Sequence, residues 1–295
     1  MVVLCVVTVG LVQWRHSVRV FGPSEMIQSL PPDQATHAYI DVDLLRRGGL
    51  LDLLAGSKSA EEPDYRKFVA QTGFDYRTDL HAVAAAFMHG DVYMAVRGRF
   101  EWKRLSEYAQ SQGGQCRNTV CSMHGSTPDR NISFYPLRTD VLALAISTDE
   151  HGVAMIGPGQ WRTPPVLPAE PVWVSVPSFV FSNVKGFPDG THAFLAPLAQ
   201  AQQVTFAIGP AGERLQVRLD VACNSQEAAA TLAHQLSSTT DLLKKMLDRD
   251  HLTPSANDLS GVLVAGTFQQ SEARVVGTWP IERGFIQALS SGGIQ

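Results

Sequence analysis

One pattern recurs along the chain and limits what it can fold into: a β-hairpin followed by an amphipathic helix. It is clearest over residues 81–114, HAVAAAFMHGDVYMAVRGRFEWKRLSEYAQSQGG, where two apolar runs meet at His89-Gly90-Asp91 and a segment of helical period follows. A second copy spans residues 203–237, with VTFAIGPAGERLQVRLDV leading into QEAAATLAHQL. A shorter third, residues 261–289, reads GVLVAGTF, a polar turn, EARVVGTW and a closing helix IERGFIQAL. A hairpin buries one face only if something packs on it, so the unit implies an antiparallel sheet under helices.

Taken in order, residues 36–44 (THAYIDVDL) alternate cleanly, with Ala38, Ile40, Val42 and Leu44 on one side and His37, Tyr39, Asp41 and Asp43 on the other. Asp43 is then placed to cap a helix over LLRRGGLLDLLAG, and a second helix, YRKFVAQTG, stops at Gly73. With the opening hairpin, its helix and a strand over residues 117–123, the order is βαββαβ, the ferredoxin-like plan. Five prolines in residues 157–171 (GPGQWRTPPVLPAEP) break all periodicity and read as a connector. The second half then repeats the order: a strand at 172–181, a helix at 189–200, the hairpin and a long helix at 225–247.

The expected fold is therefore α+β, with two tandem ferredoxin-like modules, antiparallel sheets carrying helices on one face. The divisions are an apolar segment at 1–20, a linker at 21–35, modules at 36–156 and 172–295, and the connector between them. The halves correspond in the order of their elements, which predicts an internal duplication.

Residues 1–14 (MVVLCVVTVGLVQW) are almost wholly apolar, and Arg15, His16 and Arg19 follow. Crossing a bilayer takes roughly 20 apolar residues, and a secretory signal carries basic residues ahead of its apolar run. The segment reads as the remainder of a signal anchor whose front is missing, with a buried Val-rich strand as the alternative. Cys5 is a poor lipidation site because Leu4 precedes it.

A net charge of −4 argues against nucleic acid as a partner. Arg97-Gly98-Arg99-Phe100 shares a basic-Gly-aromatic outline with an RNA-recognition motif, but Arg99 stands where an aromatic is needed and Glu101 follows. There is no G-x-S-x-G elbow, and Asp149-Glu150-His151 are adjacent, so they cannot face one centre. Gly157-Pro158-Gly159 lacks the Lys and helix of a phosphate loop, and Asn131-Ile132-Ser133 is a formal glycosylation sequon. No cofactor motif is found.

Two constellations remain. His37, Asp41 and Asp43 share one side of the first strand and are the candidate metal ligands, against the plainer reading of a solvated strand face and a helix cap. Cys116 and Cys121 could form a small-loop disulfide in an oxidising compartment, stay free thiols or, with His124, hold a metal.

The run from the apolar start through a polar linker, THAYIDVDLLRRGGLLDLL, QTGFDYRTDL and a hairpin ending VRGRF resembles uncharacterised envelope proteins of the acidobacterial type. The resemblance implies a membrane-anchored or secreted protein built of tandem α+β modules, and it carries no catalytic residue. The expected function is non-enzymatic binding or scaffolding in the cell envelope, outside the cytoplasm, with a protein, peptide or lipid partner. The alternatives are a hydrolase with its site in a cleft between the modules, and a soluble small-ligand sensor.

Overall fold

A computed structural model of the chain describes residues 21–286, apart from positions 33, 52–61, 128, 184–185, 187–190, 213, 256–257 and 283. The apolar segment 1–20, with Cys5, lies outside the described residues, as does the end of the closing helix expected beyond residue 286.

The first half runs through helix α1 (Pro23–Gln28), strand β1 (Thr36–Asp41) and helices α2 (Val42–Arg47), α3 (Pro63–Thr72) and α4 (Tyr76–Asp79). The hairpin β2–β3 (Leu80–Met88, Asp91–Gly98) and helix α5 (Trp102–Ser111) follow. Two more hairpins complete it, β4–β5 (Gln115–Arg117, Val120–His124) and β6–β7 (Asn131–Arg138, Val141–Ser147). The second half holds β8 (Val172–Pro177), helix α6 (His192–Leu195) between 3-10 turns, and the hairpin β9–β10 (Gln203–Ala211, Arg214–Ala222). Helices α7 (Gln226–Arg249) and α8 (Leu259–Val264) and the hairpin β11–β12 (Thr267–Ser271, Arg274–Ile281) end it.

The twelve strands of the described residues join one antiparallel sheet in the order β11-β12-β10-β9-β8-β1-β2-β3-β7-β6-β5-β4. The seam between halves is β1 against β8, with His37 opposite Ser175 and Tyr39 opposite Trp173. Outward from that seam, β1-β2-β3-β7-β6 and β8-β9-β10-β12-β11 follow one order. The α+β class and the antiparallel sheet under helices are as the sequence implied.

The ferredoxin-like order is not what the strands adopt. That plan places another strand between the first two, whereas β2 lies directly beside β1. Arg46 supplies a reason. Its guanidinium donates to the carbonyls of Arg77 and Leu80 at 2.6 and 2.7 Å while paired with Asp43 at 2.6 Å. The end of β1 is thereby fastened to the start of β2, and the chain returns as the adjacent antiparallel strand instead of crossing the sheet.

Local chemistry explains several boundaries. His89 and Gly90 both take positive φ (52° and 85°), which suits the two-residue hairpin between β2 and β3. Asp41 accepts from the Leu44 amide at 2.8 Å, so β1 stops two residues before the expected Asp43 cap. The expected strand at 117–123 is instead the hairpin β4–β5, turning through Asn118 at φ 56°. Residues 261–264, expected as strand, belong to α8, because Asp258 accepts from the Gly261 amide at 2.9 Å and starts a helix there.

Registered neighbours share a face of an antiparallel sheet. One row of partners runs Leu219, Phe206, Val174, Ala38, Ala85, Met94, Leu144 and Phe134. On that face α7 packs over the second half through Ala229, Leu232 and Leu236, and α5 over the first through Leu105 and Ala109.

The opposite face is not left open over the first half, contrary to the expectation of helices on one face only. It is a carpet of buried alanines, Ala82, Ala84, Ala86, Ala95, Ala143 and Ala145. Residues this small let backbone lie directly on the sheet. The expected linker at 21–35 contains α1, whose Met26 and Ile27 are 0% and 1% exposed. The 3-10 turn Gly152–Met155 presses on beside it, so closely that a side chain in place of Gly152 would strike Ser147 Oγ.

Candidate functional site

Where that cover ends, a cleft of about 1010 Å³ opens over the seam between the two halves. Its floor is one face of four interior strands. Register fixes a row across them: His37 on β1, Ser175 on β8, Thr205 on β9 and Asp220 on β10. A neighbouring row brings Trp173, Ala207 and Arg218 together. The wall comes from the two stretches expected as linker and connector.

The Pro-rich stretch is tied down. Trp161 Nε1 donates to the carbonyls of Ile27 and Leu30, each at 3.0 Å. The Gly157 amide donates to the Ser29 carbonyl at 2.8 Å, and the Asp41 amide to the Pro171 carbonyl at 2.7 Å. The prolines exclude ladder pairing, as the sequence predicted, and what they form is a strap beside the cleft.

Under the strap His37 is 6% exposed, its Nε2 lies 2.8 Å from the Pro31 carbonyl, and its ring sits 5.1 Å from that of Trp161. A carbonyl only accepts, so Nε2 carries the proton and donates, leaving Nδ1 as the acceptor of the neutral ring. Burial pushes the imidazole below its ordinary value, opposed by the Pro31 contact. Beside it Trp173 is 3% exposed and stacks on Tyr39 at 5.9 Å. Burial, with Asp41 adding to it, raises the Tyr39 phenol to about 12. Neither the Tyr39 hydroxyl nor Trp173 Nε1 has a hydrogen-bond partner among the described residues.

The middle of the floor is neutral and polar. Ser175 Oγ and Thr205 Oγ1 are 2.9 Å apart, and Gln203 Nε2 donates to Ser175 Oγ at 2.7 Å. The far end carries charges of alternating sign. Arg274 Nε donates to Asp220 Oδ1 at 3.0 Å, and Arg218 lies 3.7 Å from both Asp220 and Glu170. Two cations thus face two carboxylates.

The proposed metal set is not gathered. His37 faces the cleft, Asp41 caps α2, and Asp43 pairs with Arg46 and with His81 Nδ1 at 3.1 Å. These pairings outweigh burial and hold the Asp43 carboxyl below its usual value. Among the described residues no group of three or more His, Cys, Asp or Glu is placed to hold a metal ion. Cys116 and Cys121 face each other across the β4–β5 pair and are joined by a disulfide. Cys223 is a buried free thiol.

Arg97 and Arg99 do not form an open recognition face. Arg97 donates to the Phe21 carbonyl at 3.2 Å, and Arg99 pairs with Asp79 at 2.7 Å. Phe100 stacks on Phe74 at 5.1 Å.

Sequence reasoning missed Trp161, Trp173, Ser175, Gln203, Thr205 and Asp220 as a site. The available signal was polarity at alternate positions of three strands, and any half-exposed sheet shows that.

His37 gives a stability prediction. In the unfolded chain a histidine titrates near 6.5. The folded value lies lower, so below that pH the unfolded state binds a proton that the folded state refuses. The stabilising contribution is complete above about 6.5 and is lost as pH falls towards the folded value. Thermal melts from pH 7.5 to 5.5 should therefore fall less steeply for His37→Gln than for wild type. Identical slopes would remove His37 as a source of that acid sensitivity.

No family model matches the chain, and no curated protein matches it. Among the described residues no helix is long and apolar enough to cross a membrane. Among solved structures, crystal form III of TP0453 is similar at 11% identity and a TM-score of 0.48, covering 90% of this chain and 96% of that one. Crystal form I of TP0453 is similar at 10% identity and a TM-score of 0.47, covering 90% and 95%. At that distance nothing about function passes from one chain to the other.

Proposed function

We propose that this is a non-enzymatic binding protein that works outside the cytoplasm, anchored through its apolar N-terminal segment, and that holds its ligand in the cleft over the β1–β8 seam. The cleft carries this reading. It is large enough for a ligand of drug size or above, it lies where two equivalent halves meet, and its lining mixes aromatic and polar side chains. The shared strand order of the two halves supports a duplicated unit, with the site formed where the copies join. The Cys116–Cys121 disulfide supports an oxidising compartment.

Fractionation of cells, followed by mass measurement of the unreduced full chain, tests the location. Envelope association with a two-hydrogen deficit is expected, and a wholly cytosolic protein with free Cys116 and Cys121 would overturn it. Native mass spectrometry of the same material tests the site. A bound small molecule is expected in wild type and should be absent from Thr205→Trp, which fills the floor. Equal occupancy in both proteins would remove the cleft as the seat.

A further inference from the structure

The lining of the cleft also specifies a class of ligand, an inference that rests on the binding reading above. We infer that the cleft takes neutral saccharide rings, recognised by hydroxyl contacts on one side and aromatic contacts on the other.

Charge is the first argument. Among the described residues, the ionised groups lining the cleft are Glu170, Arg218, Asp220 and Arg274, two of each sign, and they are paired with one another. His37 is held uncharged near neutrality by its burial. Among the described lining residues no surplus cation is left to attract a carboxylate or phosphate, and no surplus anion to attract an amine.

Hydrogen bonding is the second. The Ser175 and Thr205 hydroxyls each have one proton and two lone pairs, more than their mutual contact and the Gln203 bond consume. Gln203 is exposed at the same floor and brings a side-chain amide that both donates and accepts. A ligand made only of hydrocarbon would strand these groups, whereas a hydroxyl-rich ligand both donates to and accepts from them.

The floor is the third. Strands β1, β8, β9 and β10 are all interior to the sheet, so their main-chain groups are spent on neighbouring strands. A peptide recognised by strand addition needs a free edge, and this floor offers only side chains. Aromatic surface completes the set, with Phe179 57% exposed at the cleft and Trp161 half-buried on the strap. A pyranose presents an apolar C–H face and a rim of hydroxyls, matching aromatic faces beside a row of hydroxyl and amide groups.

The test is an immobilised array of neutral and anionic glycans, read with the full chain, and tryptophan fluorescence titrations of the strongest binders as free oligosaccharides. Sodium phosphate, decanoate and a Pro-rich hexapeptide are titrated in parallel. At least one neutral glycan should bind saturably, and Gln203→Ala and Phe179→Ala should each weaken it ten-fold or more with the thermal midpoint unchanged. Binding of the free sugar indicates a soluble ligand, and binding of the immobilised polymer alone indicates a surface glycan; both support the inference. Saturable binding of decanoate, phosphate or the peptide with no neutral glycan bound overturns the ligand class and leaves the cleft as a site. No binding by any probe, together with no ligand in native mass spectrometry, overturns both readings.

Discussion

Replacing Trp173 with alanine should destabilise the protein by about 3–5 kcal/mol, as for other buried tryptophans. Trp173 is 3% exposed, packs among Tyr39, Ala207 and the residues under the strap, and belongs to the strand that joins the two halves. In a chain of this size the loss corresponds to a fall in Tm on the order of 10 °C. The informative comparison is Trp173→Phe. Phenylalanine keeps most of the buried ring and deletes an N–H without a partner among the described residues, a group that costs about 1–3 kcal/mol when left unpaired. The lost volume and the deleted N–H therefore oppose each other, and Trp173→Phe should lie within about 1.5 kcal/mol of wild type. Urea unfolding at constant m-value measures both variants. A phenylalanine variant as damaged as the alanine one would mean that the indole N–H has a partner, such as a buried water.

Leu236→Ala should cost an amount in the upper part of the 2–5 kcal/mol range usual for buried leucine. Leu236 is 1% exposed on α7 and already borders a partly open apolar pocket of about 180 Å³, lined also by Leu198, Leu219, Val262 and Trp279. The cost of truncation grows with the space left behind, and here the new space joins an existing apolar pocket. The same pocket predicts an opposite effect for Val262→Ile. One added methylene in empty apolar space is worth about 0.8 kcal/mol. If Leu236→Ala costs under about 1 kcal/mol while Val262→Ile destabilises, the pocket is filled in the native protein.

Much of the secondary structure was legible locally. The alternation in VTFAI and LQVRLDV marks β9 and β10, and His89-Gly90 marks the turn between β2 and β3. Ser225 caps α7 by accepting from the Ala228 amide at 3.1 Å, close to where leucine spacing predicts that helix. Each of these rests on forces acting within a few residues. Errors arose where a short stretch had two readings and a distant partner chose between them. Residues 21–35 look like linker because their apolar residues, Met26, Ile27 and Leu30, are few, yet a carpet of alanines from three strands suffices to bury all three. Residues 157–171 look like connector because prolines forbid pairing, yet Trp161 finds two carbonyls more than a hundred residues earlier in the chain.

The candidate site was less legible than the fold. Ser175, Gln203 and Thr205 are ordinary outward-facing strand residues taken one by one. They become a floor only because β1 pairs with β8, and β8 with β9, in one particular register.

By itself the sequence determined the repeated hairpin-helix unit and the antiparallel class, because turn chemistry and side-chain alternation are local; on β1 the alternation pointed to the side of Ala38 and Ile40, yet His37 and Tyr39 are the buried residues there. Only the tertiary structure decided that the two units share one sheet, that the prolines form a strap, and that a cleft lined by aromatic and polar side chains opens at their seam. Alternation assigns a strand its faces but not its neighbour, and that choice depends on how well whole surfaces fit when distant segments meet.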